Sequence, residues 1–435
     1  MKSRFSFLLL VCLTFTLTKV ILANESANAL AQLAISEKPT EANTAIAELR
    51  ALGPTGLETL LTSYAAEIDR HVANPNLPNT PAWNRITTAL DAVSQQKNSY
   101  LSGLYWYTDL SEAERAARQS GKPILSLRLL GKLSEDRSCA NSRFFRTVLY
   151  ANSAIADLLR SHFVLHWQTV RPVPLITIDF GDGRKLERTI TGNSIHYILD
   201  SDGQLIDGLP GVYGPQAFAR VLNDAEMIFR ELQTRNDAEK RVLLAKYYRD
   251  RTNQISLAWL ADNQKIGGKE PAGVLVQKGE HGEALSIMPL AVTKAMIETP
   301  VLRALTAGAD ALGKITDEEA WTKLAALHVA EAQLDERSVG LIKRQLKDLP
   351  DSAKAIDALL RKFQFAVALD TVRNEYKLHT TLYAWLANDR GRSNVDTMNE
   401  KVYAELFLTP KSDPWLGLLQ LDTYTALENA GVVVP

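Results

Sequence analysis

The chain has 435 residues, of which 46% are hydrophobic and 23% are charged, and its formal net charge is −1 at pH 7. This length suffices for about two to four domains, and the composition is that of an ordinary globular protein. A net charge so close to zero gives no electrostatic basis for binding a nucleic acid or an anionic membrane, so we expect neither as a partner.

The N-terminal segment has the plan of a secretory signal peptide. Lys2 and Arg4 precede an apolar run over 5–17, and Ala23 closes a small-residue pattern that suits cleavage. The run is too short for a membrane span, although a retained signal anchor is the alternative. We therefore expect residues 1–23 to be a signal peptide, and the protein to be periplasmic or secreted, with no membrane span after cleavage.

Removal of this segment would leave one cysteine, Cys139, because the other, Cys12, lies in the apolar run. A mature chain with one thiol has no internal disulfide, so its stability must come from packing. The sequence contains no zinc-type cysteine spacing, nucleotide-binding glycine loop, GxSxG or HExxH motif. We therefore predict no metal and no cofactor.

Residues 24–98 have the periodicity of helices. The stretch over 44–61 carries apolar residues at helical spacing on both sides of Gly53-Pro54, as in a helix pair of the HEAT type. A solenoid needs several repeats, and no second clear copy follows. We predict a helical N-terminal region that packs against the rest of the chain.

Residues 99–226 alternate between helix and strand signals. In chain order we predict a helix capped by Ser111 and closed by Gly121, a strand from Ile124, a helix and a strand over 152–170, hairpins turning at Asp182-Gly183 and Asp202-Gly203, and a helix from Gly214. Strands that alternate with helices and end in a hairpin imply an α/β sheet domain.

Residues 227–435 are predicted to be helical almost throughout. Apolar residues recur at helical spacing over 243–259, 285–307, 317–334 and 355–386. The glycine-rich stretch over 265–283 is the expected mobile loop.

The segment over 105–226 resembles the thioredoxin-like family. It looks like an exported group in which SGKP, here from Ser120, precedes a WCxxC-like site, and residues 148–164 carry that group's VLxNxxIxxLLxxxFV-like pattern. The resemblance implies an α/β thioredoxin-like domain flanked by all-α N-terminal and C-terminal regions, a multidomain α+β protein overall. It also places the functional site at Cys139, directly before a helix.

The departures from the family concern its chemistry. Cys139 falls on the family's first cysteine, but Ser142 falls on the second, and Arg137-Ser138 replace the usual aromatic residue. The family's cis-proline position falls on Ser194, and the hairpin at Asp182-Gly183 replaces a family helix. A dithiol reductase is therefore not expected.

A single thiol at a helix start has two interpretations. The helix dipole, with Arg137 and Arg143 nearby, would lower the pKa of Cys139, and Ser142 would orient the thiol for exchange with a thiol-bearing protein or peptide. Alternatively, Cys139 is a small buried residue that packs the helix start. The resemblance also places polar residues around Cys139 that would line a binding pocket or merely form turns, namely Asn141, Asn193 and Ser194. Arg137 is a further candidate binding residue of this pocket.

Three functions follow from these interpretations. The leading one is an exported, divergent thioredoxin-like protein that acts by single-thiol exchange or by binding a peptide or protein. The alternative is a non-catalytic interaction module, and a weaker one is a metal or hydrolytic site at Glu375 and His379, whose competing interpretation is a buried polar network. We expect His166 and His196, in apolar strands, to bond backbone carbonyls.

Overall fold

A computed structural model describes residues 26–189, 192–268, 315–347, 352–389, 394–415 and 432. The predicted signal peptide, the predicted helix over 285–307 and residues 269–283 of the glycine-rich stretch lie outside this part of the chain. The described residues have an α+β architecture, in which a mixed sheet follows one helical region and precedes another. The domain boundaries drawn from the sequence remain predictions.

The N-terminal region is helical, as its periodicity predicts. A helical stretch over 26–33 precedes α1 (Pro39–Ala51), α2 (Pro54–Ser63), α3 (Ala65–Ala73) and α4 (Pro81–Ser94). Gly53 separates the predicted helix pair, because its positive φ of 69° turns the chain between α1 and α2 at little steric cost. These helices enclose an apolar cluster that includes Leu49, Leu57, Leu60, Trp83 and Leu90.

The central sheet has five strands in the spatial order β1-β3-β2-β6-β7. In chain order the strands are β1 (Trp106–Tyr107), β2 (Ile124–Leu130), β3 (Val164–Arg171), β4 (Leu175–Asp179), β5 (Lys185–Thr189), β6 (Ser194–Leu199) and β7 (Leu205–Pro210). Strands β1, β3 and β2 are parallel, whereas β6 is antiparallel to β2 and β7. All of β2 is buried, as expected of a central strand covered on both faces.

Both predicted hairpins are confirmed. Strands β4 and β5 form a separate two-stranded sheet that turns through Gly181 and Gly183, and β6 and β7 turn at Gly203. All three glycines have positive φ angles, which other residues adopt only with strain.

Four helices accompany the strands, namely α5 (Leu110–Ser120), α6 (Ala140–Phe144), α7 (Ser153–His162) and α8 (Pro215–Leu232). Helix α6 continues into a π-helical turn over Phe145–Leu149. The prediction of Ser111 as the cap of α5 is wrong: Asp109 accepts the N–H of Glu112 at 2.9 Å, so the helix begins earlier. The acidic cap also complements the positive helix end. Gly121 closes the helix as predicted, with φ 69°.

The C-terminal region contains α9 (Asp237–Lys265), α10 (Glu318–Leu327), α11 (Glu336–Leu346), α12 (Ser352–Arg373), α13 (Thr380–Asp389) and α14 (Val395–Lys401). A π-helical turn over Asn374–His379 joins α12 to α13, so the helix predicted over 355–386 is confirmed. The helix predicted over 317–334 is wrong in its second half, where a 3-10 turn follows α10.

The sheet and the C-terminal helices share one apolar core, whose buried members include Leu127, Leu209, Trp259, Leu382 and Tyr403. Burial of this kind of surface is the main source of stability in a chain without a disulfide. Across the described ranges, no helix combines the length and the apolarity that crossing a membrane requires.

Candidate functional site

Cys139 lies directly before α6, where the sequence predicts it. Its N–H donates to the carbonyl of Leu130 at the end of β2, which fixes the loop from the strand to the helix. Its Sγ caps α6 by accepting the backbone N–H of Ser142 at 3.4 Å. The side chain has no solvent-exposed surface. The sulfur therefore occupies the positive end of the helix, but inside the protein.

Ser142 contributes its backbone and not its hydroxyl to the sulfur. Its Oγ donates to the carbonyl of Cys139 at 2.9 Å, and the residue is fully buried. The hydroxyl thus closes the first turn of α6, as serine commonly does near a helix start. The orienting contact to the thiol comes from the Ser142 N–H instead.

The two arginines named from the sequence point to the β4–β5 hairpin. Arg137 forms an ion pair with Glu187, and Arg143 donates to Thr189 Oγ1 at 2.8 Å. Thr189 Oγ1 in turn donates to the carbonyl of Ser138 at 3.2 Å. These contacts fasten β5 to the loop that carries Cys139.

A third arginine, Arg146, is the buried cation of this region, and sequence reasoning missed it. It is 4% exposed, and its Nη2 donates to Ser138 Oγ at 3.2 Å and to the carbonyl of Asp136 at 3.4 Å. Its Nε and Nη1 have no hydrogen-bond partner among the described residues. Burial lowers the pKa of Arg146 to about 10, against the raising influence of Asp136 and, more weakly, Cys139. The only local signal was its position two helical turns after Cys139.

The polar residues that the resemblance places around Cys139 separate into two groups. Asn141 Nδ2 donates to Ser194 Oγ at 2.9 Å, so these two side chains do meet beside α6. Asn193 Nδ2 donates instead to Thr409 Oγ1 at 3.0 Å, and the carbonyl of Asn193 accepts the hydroxyl of Tyr403 at 2.9 Å. These three polar side chains thus bond one another or the C-terminal segment.

A segment over 402–413, which we call the strap, packs beside this region. It follows α14 and is tied to Asn193 through Tyr403 and Thr409. Arg171, at the end of β3, donates to the carbonyls of Thr409 at 2.5 Å and of Pro410 and Asp413 at 3.3 Å. Burial raises the pKa of Tyr403, and the neighbouring Cys139 adds to that rise, so the strap lies close to the thiol as well as to Arg171 and Asn193.

The two strand histidines bond hydroxyl groups, and the prediction of backbone carbonyls is wrong. His166 Nδ1 lies 2.8 Å from Ser126 Oγ, and His196 Nε2 lies 2.7 Å from the hydroxyl of Tyr150. The neighbouring strands already use the backbone carbonyls, so side-chain hydroxyls are the available partners. Burial lowers the pKa of each imidazole to about 3, which keeps both rings neutral.

Glu375 and His379 do not form a site together. Both oxygens of Glu375 accept from Arg220, at 2.9 and 3.1 Å. His379 lies on the apolar face, as predicted, and is fully buried with its ring stacked on Tyr383. Its Nε2 is 3.6 Å from Asp207 Oδ1, longer than a hydrogen bond. Within the described ranges, no group of three or more His, Cys, Asp or Glu side chains could hold a metal ion.

A second cluster, centred on His328, is brought together only by the fold. His328 Nε2 lies 2.7 Å from Asp262 Oδ2, and its Nδ1 lies 2.8 Å from Glu331 Oε1. Tyr376 also donates to Asp262, at 2.5 Å, and Arg220 donates to Glu331 at 3.0 Å. The spacing of three residues between His328 and Glu331 was the only local signal.

The charges of this cluster stabilise one another. Hydrogen bonds first to Asp262 and then to Glu331 raise the pKa of His328 to about 9, so the ring is a cation at neutral pH. Burial would raise the pKa of Asp262, but hydrogen bonds from His328, Lys265 and Tyr376 hold it well below its usual value. Both ring nitrogens face carboxylates, so His328 ties helices together and has no nitrogen free to act as a base.

Comparison with known proteins found no match to the chain among family models, curated proteins or solved structures.

Proposed function

We propose that this protein is a non-catalytic interaction protein, built on a thioredoxin-like α/β unit with helical regions on both sides. The observation that carries the proposal is the enclosure of Cys139, whose side chain is fully buried and whose Sγ accepts the N–H of Ser142. Thiol exchange requires an accessible thiolate that can approach a disulfide in line. In this geometry Cys139 packs and caps the start of α6.

The order of elements supports the thioredoxin-like assignment. Helix α5 leads into β2, a cysteine caps the following helix, and β3, the β6–β7 hairpin and α8 complete the order on which the resemblance rests. The β4–β5 hairpin follows β3, where the resemblance expects a helix. The same hairpin is bonded to Ser138 through Thr189, which supports a structural role for the cysteine loop.

We also propose that the protein is exported, on the basis of Lys2, Arg4 and the apolar run that follows them. Expression of the full chain in a bacterial host tests this. A periplasmic or secreted product whose mass corresponds to cleavage after Ala23 is expected, and an uncleaved cytoplasmic product would contradict the proposal.

Oxidised glutathione tests the enclosure of Cys139 chemically. We expect the native mature protein to remain unmodified by mass spectrometry, whereas the same protein in urea gains one glutathione. The Cys139→Ser variant should gain none in either state and should keep the circular dichroism of the wild type. Stoichiometric modification of the native protein would contradict the proposal.

Single-thiol exchange is the second candidate, and Arg146 is the observation that favours it. A buried guanidinium near Cys139, two of whose nitrogens have no partner in the described part of the chain, would stabilise a thiolate if the strap opened. The thiolate would then attack a disulfide of a partner protein or peptide, forming a mixed disulfide and releasing the partner's other sulfur as a thiolate. Modification of the native protein by glutathione, lost in Arg146→Gln but kept in Arg143→Gln, would support this candidate over the first.

A further inference from the structure

The β4–β5 hairpin exposes apolar side chains that a solvated hairpin does not need. Leu175 is 48% exposed, Ile176 41%, Ile178 47% and Phe180, at the turn, 55%. Four such side chains within six consecutive residues exceed the scattered exposure that is normal for surface leucines and isoleucines. Ile176 and Ile178 share one face of β4, whereas Leu175 lies on the other.

Among the described residues, the hydrogen bonds and the ion pair that hold the hairpin against the rest of the protein come from β5. Glu187 pairs with Arg137, and Thr189 bonds Ser138 and Arg143. The outer edge of β4 pairs with no other strand, and its backbone makes no hydrogen bond beyond the hairpin within the described ranges. An exposed, apolar edge with unpaired N–H and C=O groups is a template for a further strand.

The pairing of β4 with β5 determines which side chains share a face. Ile176 lies opposite Arg188 and Ile178 opposite Leu186, whereas Thr177 lies opposite Glu187. The face of Glu187 is the one turned toward the protein, because Glu187 pairs with Arg137. Ile176, Ile178 and Leu186 therefore lie on the outward face.

We propose that β4 pairs with β4 of a second copy of this chain, antiparallel about a two-fold axis at Thr177. This register pairs all five residues of β4, whereas any other antiparallel two-fold register leaves some of them unpaired. It places Ile176 of each copy opposite Ile178 of the other, so four isoleucines meet on the outward face. Asp179 lies opposite Leu175 of the other copy, so no like charges oppose each other.

This register brings the isoleucines of the two strands together and places no like charges opposite each other, which is why a second copy is the favoured occupant. The product is a four-stranded sheet in the order β5-β4-β4-β5. A pair of five-residue strands gives a small interface, below the roughly 1,000 Å² typical of stable complexes. We accordingly expect a weak dimer that forms as the concentration rises.

Cysteine crosslinking tests the register. In a background with Cys12 and Cys139 replaced by serine, Thr177→Cys places two thiols directly opposite each other, within disulfide distance. The matched control is Asp179→Cys, on the same face of the same strand but opposite Leu175 of the other copy. Rapid disulfide dimer from Thr177→Cys and little from Asp179→Cys is expected. Equal crosslinking of both, or none, would overturn the proposal.

Charged substitutions of Thr177, the residue on the two-fold axis, test the same contact without a covalent bond. Thr177→Lys and Thr177→Glu each place like charges opposite each other, so each variant alone should sediment as a monomer at concentrations where the wild type dimerises. An equimolar mixture of the two should recover the dimer. A wild type that stays monomeric up to about 1 mM would overturn the proposal. Binding of that monomer to anionic phospholipid vesicles or to an acidic peptide would not rescue it.

Discussion

Replacing His328 with glutamine should destabilise the protein in a pH-dependent manner. The imidazolium lies between Asp262 and Glu331, which raise its pKa from 6.5 to about 9. Each pKa unit corresponds to about 1.4 kcal/mol, so the folded state gains about 3 kcal/mol from protonating this ring. Glutamine keeps a side chain of similar reach but removes the charge.

The stability that His328 contributes falls as the pH rises, because its pKa is higher in the folded state than in the unfolded state. The stabilisation is fully present below about pH 6.5, and it disappears as the pH rises through about 9. The difference between the wild type and His328→Gln in the free energy of unfolding should therefore be about 3 kcal/mol at pH 6 and should approach zero near pH 10. Urea titrations followed by tryptophan fluorescence at both pH values measure this difference.

His162 provides the matched control, because it also lies 2.8 Å from a glutamate, Glu226, but its side chain is 40% exposed. Solvent weakens such a pair, so His162→Gln should cost at most about 1 kcal/mol. A His328→Gln effect that is equal at pH 6 and pH 10 would refute the assignment of His328 as a buried cation.

Three further predictions concern individual residues. Arg171→Ala removes the three bonds to the strap, so alkylation of native Cys139 should accelerate at least about tenfold; an unchanged rate would mean that the strap does not control access. Tyr247→Phe removes a bond to the buried carboxylate of Asp207 and should cost about 2 kcal/mol in urea unfolding. The buried hydroxyl of Tyr213 has no partner among the described residues, so Tyr213→Phe should cost almost nothing. Equal costs for Tyr247→Phe and Tyr213→Phe would contradict the role of Asp207. Gly211→Ala should lower the free energy of unfolding by about 2 kcal/mol or more, because Gly211 has φ 85° and a Cβ there would lie 2.6 Å from Asn374; a neutral effect would contradict this packing.

The features predicted correctly from the sequence are those with local causes. Asp182-Gly183 and Asp202-Gly203 require positive φ at a turn, and Gly121 ends a helix for the same reason. The sequence predicts Cys139 at a helix start because a helical pattern follows it directly, and the structure has it there. In each case the responsible residues lie within a few positions of one another.

The features that were missed depend on residues far apart in the chain. The strap is tied to Arg171 by contacts across 238, 239 and 242 residues, and His328 meets Asp262 across 66. No periodicity or motif connects such positions. The hydroxyl partner of His196 likewise comes from Tyr150, in another element. The sequence therefore located the cysteine but not its enclosure.

The rate at which the native protein reacts with iodoacetamide at pH 8 tests the central claim most directly. Cys139 is the only thiol of the predicted mature chain, so the signal has a single source. If exposure requires an opening that costs about 4 kcal/mol, labelling should be about a thousandfold slower than in urea. A native rate within about tenfold of the rate in urea would show that Cys139 is accessible and would contradict its role as a buried structural residue.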